Sequence, residues 1–459
     1  MTTTGCSLPV PFREVTDRNG RGYRVGESDV DLMGRTRAWM VVLPWVAMTS
    51  AGAAVCAFAA AGGAHTWSDG HVFRLLGVWM CLQAAVALPA GRLRVNGRLT
   101  ARTALLIGAC APLTGWLFLA ALPGTRVGSF GFAVCGGLGA GLVQVTCVSL
   151  VGTWCPERKG GRTGLVSGGF AVGSAPFLFL FAASVDLARH QAVCVAVGVG
   201  LCLVVASAGR LLQDPPKNWW PDHVDPLRRP VDPTIRRALE RNPPAAKQHT
   251  SQEAACTPVL WLMWLCLLGT AGVNVFGVVV QVSFAEDLGF PRGTLGTAVA
   301  FMALVNGIGL GAVGRLSDRY GRRNTLVLAC VVLGTAQFGV LVAGERGSGP
   351  FLLFWFLVCG LGGAAVFPLC AAMTADFFGE NDNASHYGLV HSSTLVSGPV
   401  GVGLGAAVAG GAWSCHGALV LAGSAGLACA VPALFLKSPG RMRVRRIVPN
   451  PQPLGEEMA

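Results

Sequence analysis

The chain has 459 residues, 52% of them hydrophobic and only 13% charged, with a mean hydropathy of +0.55. Soluble domains carry about 25% charged residues, so this composition excludes an ordinary soluble protein and indicates one integral to a membrane. The formal charge of +12 does not indicate nucleic acid, because the 35 Lys and Arg sit between apolar runs rather than on one basic face.

Residues 1–38 are polar and lack the apolar stretch of a signal peptide. Uncharged runs of spanning length follow near 39–62, 75–91, 103–122, 128–154, 163–185 and 191–209. A run of about 20 residues crosses a hydrocarbon core of about 30 Å as a helix. Next comes a Pro- and Arg-rich stretch containing DPPKNWWPDHVDPLRRPVDPT, too polar to bury a core of its own. Six more runs lie near 257–283, 293–314, 325–344, 350–375, 387–412 and 416–436. The pattern predicts an all-α membrane protein of twelve transmembrane helices in two six-helix halves, 39–212 and 257–436. Segments 1–38, 213–256 and 437–459 are the N-terminal segment, linker and tail.

Thirty of the 35 Lys and Arg fall on the side that carries both termini and the linker. The other five are Arg74, Arg126, Arg189, Arg292 and Arg346. The excess predicts cytoplasmic termini. Arg outnumbers Lys by 31 to 4, a bias associated with GC-rich bacterial genomes, so a bacterial plasma membrane is expected. The 16 Cys lie mostly inside apolar runs with no metal-ligand spacing, and no metal or cofactor is expected.

The halves repeat. GRLRVNGRL from Gly91 precedes GRLSDRYGRR from Gly314 by 223 residues. CGGLGAGLV from Cys135 and TGLVSGGF from Thr163 recur as CGLGGAAVF and YGLVHSST, each 224 residues later. Many glycines fall at small-xxx-small spacing, as Gly164/Gly168 and Gly307/Gly311 do, which lets helices approach closely. The run from Gly293 is expected to stop at GRLSDRYGRR, a basic turn whose Asp318 would pair with its Arg residues or with a neighbouring helix N-terminus.

Almost nothing ionisable lies within the runs. His391 stands in the eleventh and Asp376 at the end of the tenth. Uncharged polar candidates are Gln83, Gln144, Asn274, Gln281, Asn306, Gln337 and Thr394. A lone amide within a bundle more often makes an interhelical hydrogen bond than a ligand contact. An imidazole can also carry a proton near neutral pH, which makes His391 the candidate for proton coupling. No carboxylate pair, nucleophile elbow or phosphate loop supports an enzyme.

The residues Gly314, Asp318, Arg319, Gly321, Arg322 and Arg323 match the signature loop G-x-x-x-D-[RK]-x-G-[RK]-[RK] of the major facilitator superfamily, which the chain resembles. Gly91 and Arg92 open the degenerate first-half copy, where Val95 replaces the Asp. Within that superfamily, RAWMVVLPWVAM, PAGRL, CPERKGGRTGLVSGGFAVGSAPF, VNGIGLGAVGRLSDRYGRR and TADFFGENDNASHYGLV resemble the oxalate/formate antiporter family, related to monocarboxylate transporters. The resemblance runs from about Phe12 to Arg441. It implies two substrate-holding cations, an Arg after N-G-x-G and a Lys after Y-G-x-x-x-[ST]-x. Here Leu310 and Thr394 occupy those positions.

The expected function is therefore secondary transport of a small solute by alternating access, with protons as candidate partners and the substrate not a dicarboxylate. The candidate substrate residues are Gln144, Asn274, Gln281, Asn306, Leu310, His391 and Thr394; the gating set is the signature loop with Gly91 and Arg92. The chain is expected to act as a monomer in the lipid bilayer, without nucleic acid. The alternative is a transport-inactive member acting as a sensor or scaffold.

Overall fold

A computed structural model describes residues 12–17, 19–64, 69–182, 190–224 and 230–439. Arg189 and nearly all of the expected tail lie outside these residues. The described chain begins with an antiparallel hairpin, β1 (Arg13–Thr16) and β2 (Gly22–Val25), followed by α1 (Asp29–Met33), which Ser28 and Asp31 close with a capping box.

Six long helices come next: α2 (Trp39–Ala64), α3 (Asp69–Val95), α4 (Ala101–Ala121), α5 (Arg126–Trp154), α6 (Lys159–Ala182) and α7 (His190–Leu211). Thr100 and Thr125 start α4 and α5 by accepting hydrogen bonds from the otherwise free N–H groups of Thr103 and Gly128. The linker contributes α8 (Pro233–Arg241) and α9 (Ser251–Ala255).

The second set opens with α10 (Pro258–Asp287), α11 (Arg292–Tyr320) and α12 (Arg322–Glu345). Its last three spans are each interrupted. They run as α13 (Gly349–Ala364) with α14 (Val366–Phe378), α15 (Asn383–His391) with α16 (Thr394–Ala409), and α17 (Cys415–Ala428) with α18 (Ala430–Leu434). The breaks fall at Ala365, Ser392–Ser393 and Cys429, whose backbone angles stay near helical, so each span continues across its break. The architecture is thus twelve helical spans in two sets of six.

One expectation is corrected and a second is extended. The basic signature is not a turn: α11 continues through Asp318 and Arg319 to Tyr320, and Gly321 alone, at φ 98°, reverses the chain into α12. Only a residue free of Cβ strain holds that angle readily. The second expectation is extended: the linker, too polar to bury a core of its own, buries one against the N-terminal hairpin. Trp219 and Trp220 are buried, and Trp220 meets Tyr23 of β2 edge to face at 5.4 Å. Val224 and Ile235 complete a small core there. Arg24 N donates to Asn218 O at 2.8 Å and Trp220 N to Arg24 O at 2.9 Å, so the linker extends the hairpin. The average polarity of the stretch concealed two indoles, each able to bury roughly 150–250 Å² against a partner supplied by the N-terminus.

Each set has its own core, built on Met48, Leu105 and Val148 in the first and on Met263, Leu326 and Met373 in the second. The sets meet along two seams, α6 against α11 and α3 against α15 and α16. Both seams are glycine-lined near the face that carries the linker, called here the linker face. A Cβ at Gly164 would overlap the Leu310 carbonyl, and one at Gly388 the Ala87 carbonyl. Likewise a Cβ at Gly314 would overlap the Gly160 carbonyl, and one at Gly91 that of Ala384. Gly164 and Gly388 are 224 residues apart, and Gly91 and Gly314 are 223 apart, so the sequence repeat reappears as two matching close approaches.

Candidate functional site

Three cations and three carboxylates, all largely buried, tie the sets together at the linker face. Lys159, the first residue of α6, places Nζ 2.8 Å from Asp376 at the end of α14 and 2.7 Å from Glu380 just beyond it. Arg322, opening α12, holds the other Asp376 oxygen through Nε at 2.9 Å and Asp318 through Nη1 at 2.5 Å. Asp318 also accepts from the backbone N–H groups of Gly160 and Gly161 at 3.1 and 2.8 Å. Those N–H groups belong to the first turn of α6, which has no intrahelical acceptor for them and carries the positive end of the helix dipole. Asp318 thus meets both expected kinds of partner, an Arg and a helix N-terminus.

Arg21, from β2's approach, completes the cluster by donating to Glu380 and to the Ala245 carbonyl, the latter at 2.8 Å. Burial alone would raise the Glu380 carboxyl, but the charges of Arg21 and Lys159 carry it down to about 2. Because positive and negative charges are equal in number, the buried cluster can be stable; a lone buried charge would not be. Asn242 of the linker fastens the α11–α12 corner, accepting from Arg322 N at 2.8 Å and donating to the Ser317 and Asp318 carbonyls.

The repeat makes the cluster's asymmetry plain. Asp318, Arg322, Asp376 and Lys159 correspond to Val95, Leu99, Gly152 and Asn383 in the other half. At the second seam those positions carry no charge; Asn383 bonds Thr374 and the Ser149 carbonyl instead. Arg92 is exposed on α3, and Gly91 serves the close approach described above. Arg319 is exposed with its guanidinium over the Tyr320 ring, and Arg323 is half-buried.

The candidate substrate residues separate into two groups. Gln144 accepts from Gln83 at 2.5 Å, and Gln281 donates to Gln337 at 3.1 Å; both make amide pairs within their own set. Three of the others, Asn274, Asn306 and His391, lie against α13 and α14. Asn306 packs on Gly360 and Asn274 on Gly363, while His391 lies 6.0 Å from the Phe367 ring and 5.5 Å from Tyr387. Leu310, one turn beyond Asn306, is buried in the second set's core near Val390. Thr394 turns its hydroxyl back to the His391 carbonyl at 2.7 Å. Among the described residues, Asn306 Oδ1, the Tyr387 hydroxyl, both His391 nitrogens and the Ser397 hydroxyl are buried without a hydrogen-bond partner.

Lys159, Glu380 and Arg21 were not singled out in the sequence. Lys159 is one of only four lysines and stands beside two glycines at a helix start, a detectable signal. Arg21 had none, because its partner is 359 residues away.

A family model described as Major Facilitator Superfamily matches residues 38–344 and 262–456. A curated relative, the oxalate:formate antiporter of Oxalobacter formigenes, is 24% identical over 311 residues, covering 67% of this chain and 69% of its own length. Among solved structures, the proton:xylose symporter XylE superposes with a TM-score of 0.63 at 12% identity, over 87% of this chain and 96% of its own. The fucose:proton symporter FucP of E. coli gives 0.61 at 14% identity, over 86% and 98%.

Proposed function

The chain belongs to the Major Facilitator Superfamily and is a multi-pass membrane transporter, not an enzyme, and on that premise we propose that it moves a small neutral, hydrogen-bonding solute by alternating access. The observation that supports this reading is that buried, unpartnered, uncharged polar atoms occur within the second half's spans on Asn306, Tyr387, His391 and Ser397, with the Tyr387 and His391 rings 5.5 Å apart. A buried polar group without a partner costs about 1–3 kcal/mol, which a solute bearing matching donors and acceptors would recover.

No cation stands among them. The Lys and Arg of the described spans lie at helix ends, and Leu310 and Thr394 are committed to packing and to a local hydrogen bond. A dicarboxylate would be desolvated there without compensation. The oxalate and formate in the curated relative's name are therefore not carried over. His391 is the one side chain in this group whose ordinary pKa lies near neutral, and it is our candidate for proton coupling.

In this reading the linker face is cytoplasmic and the membrane is a bacterial plasma membrane. The ionic cluster latches that face in the outward-open state, and it parts when the carrier opens inward. The intact cluster argues against an inactive scaffold, which would have no use for contacts that join the two halves in one state only.

The test is uptake by purified protein in liposomes, with radiolabelled oxalate and formate set against neutral polyols, amides and amino alcohols. Thermal stabilisation of the detergent-solubilised chain guides the choice of compound. The expected result is stabilisation and uptake of a neutral compound only. Exchange of oxalate or formate well above that of protein-free vesicles would overturn the assignment.

A further inference from the structure

Beside the ionic cluster, away from the candidate substrate residues, lies a cavity open at the linker face. It has a volume of about 360 Å³, within the range of small-molecule sites, and five arginines line it. Arg158 and Arg162 come from the start of α6, Arg237 from the linker helix α8, and Arg315 and Arg319 from the end of α11. Arg158 is matched by Asp232 at 2.5 Å. Among the described residues the other four have no carboxylate partner, and all four are exposed.

The one acid in the wall, Asp318, has its oxygens taken by the Gly160 and Gly161 N–H groups and by Arg322. Leu165 and Ala238 supply an apolar part of the lining.

Membrane orientation explains why arginines stand on this face, but not why three separate elements aim them around one concavity. Four unpaired guanidiniums at close quarters repel one another, and an anion in their midst relieves that repulsion. Guanidinium is the donor best shaped to grip phosphate oxygens two at a time. The apolar patch and the nearby membrane boundary, marked by exposed Leu316 and Tyr320, suit a phosphate that carries a hydrophobic tail.

We propose that this cavity binds a phosphate-bearing anion at the linker face, whether the headgroup of an anionic phospholipid or a soluble phosphate. Its walls come from α6, α8 and α11, hence from both halves and the linker. The site is whole only when the α6–α11 seam is closed, so its occupant favours the latched state by binding that state alone. This holds whatever solute the carrier moves.

The test uses delipidated, full-length protein in detergent. One arm adds phosphatidylglycerol or phosphatidylcholine; the other adds inorganic phosphate at constant ionic strength. Melting temperature and bound lipid, counted by native mass spectrometry, are read for wild type, for Arg315→Gln/Arg319→Gln and for Arg98→Gln/Arg102→Gln. The last pair removes the same charge from the same face away from the cavity.

The expected result is stabilisation of wild type and of the control by phosphatidylglycerol, with affinity weakened about tenfold or more in the cavity variant. Response to phosphatidylglycerol alone assigns the site to lipid; response to inorganic phosphate as well assigns it to the phosphate group itself. No response to either, or equal losses in both double variants, overturns the proposal. Arg162→Gln/Arg237→Gln, on the opposite walls, serves as a second cavity variant should the first not fold.

Discussion

Asp376 is the residue through which the two halves are joined most directly, and Asp376→Asn separates its two roles. Its contact with Arg322 lies within the second half, and so it is present in either state and cancels from the conformational equilibrium. Its contact with Lys159 joins α6 of the first half to α14 of the second and is lost when the α6–α11 seam beside it parts. A hydrogen bond to a charged group contributes about 1.5–3 kcal/mol when both partners are buried. Lys159 keeps Glu380 at 2.7 Å in the variant, so the larger cost of leaving a buried charge wholly unpaired does not apply. The closed state should therefore lose about 1.5–3 kcal/mol relative to the open one, a shift of roughly ten- to a hundredfold. Amide exchange followed by mass spectrometry reads this in peptides covering residues 155–165, where the Gly160 and Gly161 N–H groups bond Asp318 across the seam and lose that partner when it opens. Their exchange should speed by that factor, and adding Asp376→Asn to Lys159→Gln should change it little further, since Lys159→Gln alone already removes that contact together with the one to Glu380. Unchanged exchange, or full additivity of the two substitutions, would refute the assignment of Asp376 to a state-specific contact.

Four further outcomes follow from the geometry. Gly314→Val sets a branched side chain against the Gly160 carbonyl and should weaken closure at the same peptides while leaving detergent-extracted yield intact, as the contact is absent in the open state. The folded Glu380 carboxyl lies below its ordinary value of 4.5, so its stabilising contribution is complete above about pH 4.5 and is lost as pH falls toward about 2. Its contribution to closure should consequently be full and unvarying between pH 5 and 8, and a Glu380→Gln variant should match wild type only in strong acid. Trp220→Ala removes the indole packed on Tyr23 and should release the hairpin to limited proteolysis near Arg21, with a local cost of about 3–5 kcal/mol and no effect on the spans. Finally, His391→Gln should flatten the dependence of solute uptake on pH between 5 and 8; a profile identical to wild type would remove His391 from proton coupling.

The spans were legible because a membrane makes composition decisive: an uncharged run of 20 or so residues has few alternatives to a helix. The repeat from Gly91 and Gly314 gave the two halves, and their glycines proved to be the closest approaches between them. Asp318 was legible because an acid among arginines at a helix end has few uses. What escaped notice was long-range. Arg21 and Glu380 are neighbours only because the hairpin docks on the linker, and nothing local to either residue says so. The linker itself misled by averaging, since Trp219 and Trp220 act as two anchors within a polar stretch. The extent of α11 was misjudged because a basic, glycine-punctuated sequence looks like a turn. Asp318, Arg319 and Tyr320 nevertheless keep the helix, and Gly321 suffices for the corner.

The uncharged seam also bears on timing. Separating α3 from α15 exposes small side chains and breaks the hydrogen bond from Asn383 to the Ser149 carbonyl. Separating α6 from α11 instead breaks the Lys159 contacts to Asp376 and Glu380 and the Gly160 and Gly161 bonds to Asp318, while the Arg322 pairs travel together with the second half. The Lys159 and Asp318 contacts should then set the rate at which the linker face opens, and because these groups are buried that rate should vary little with ionic strength.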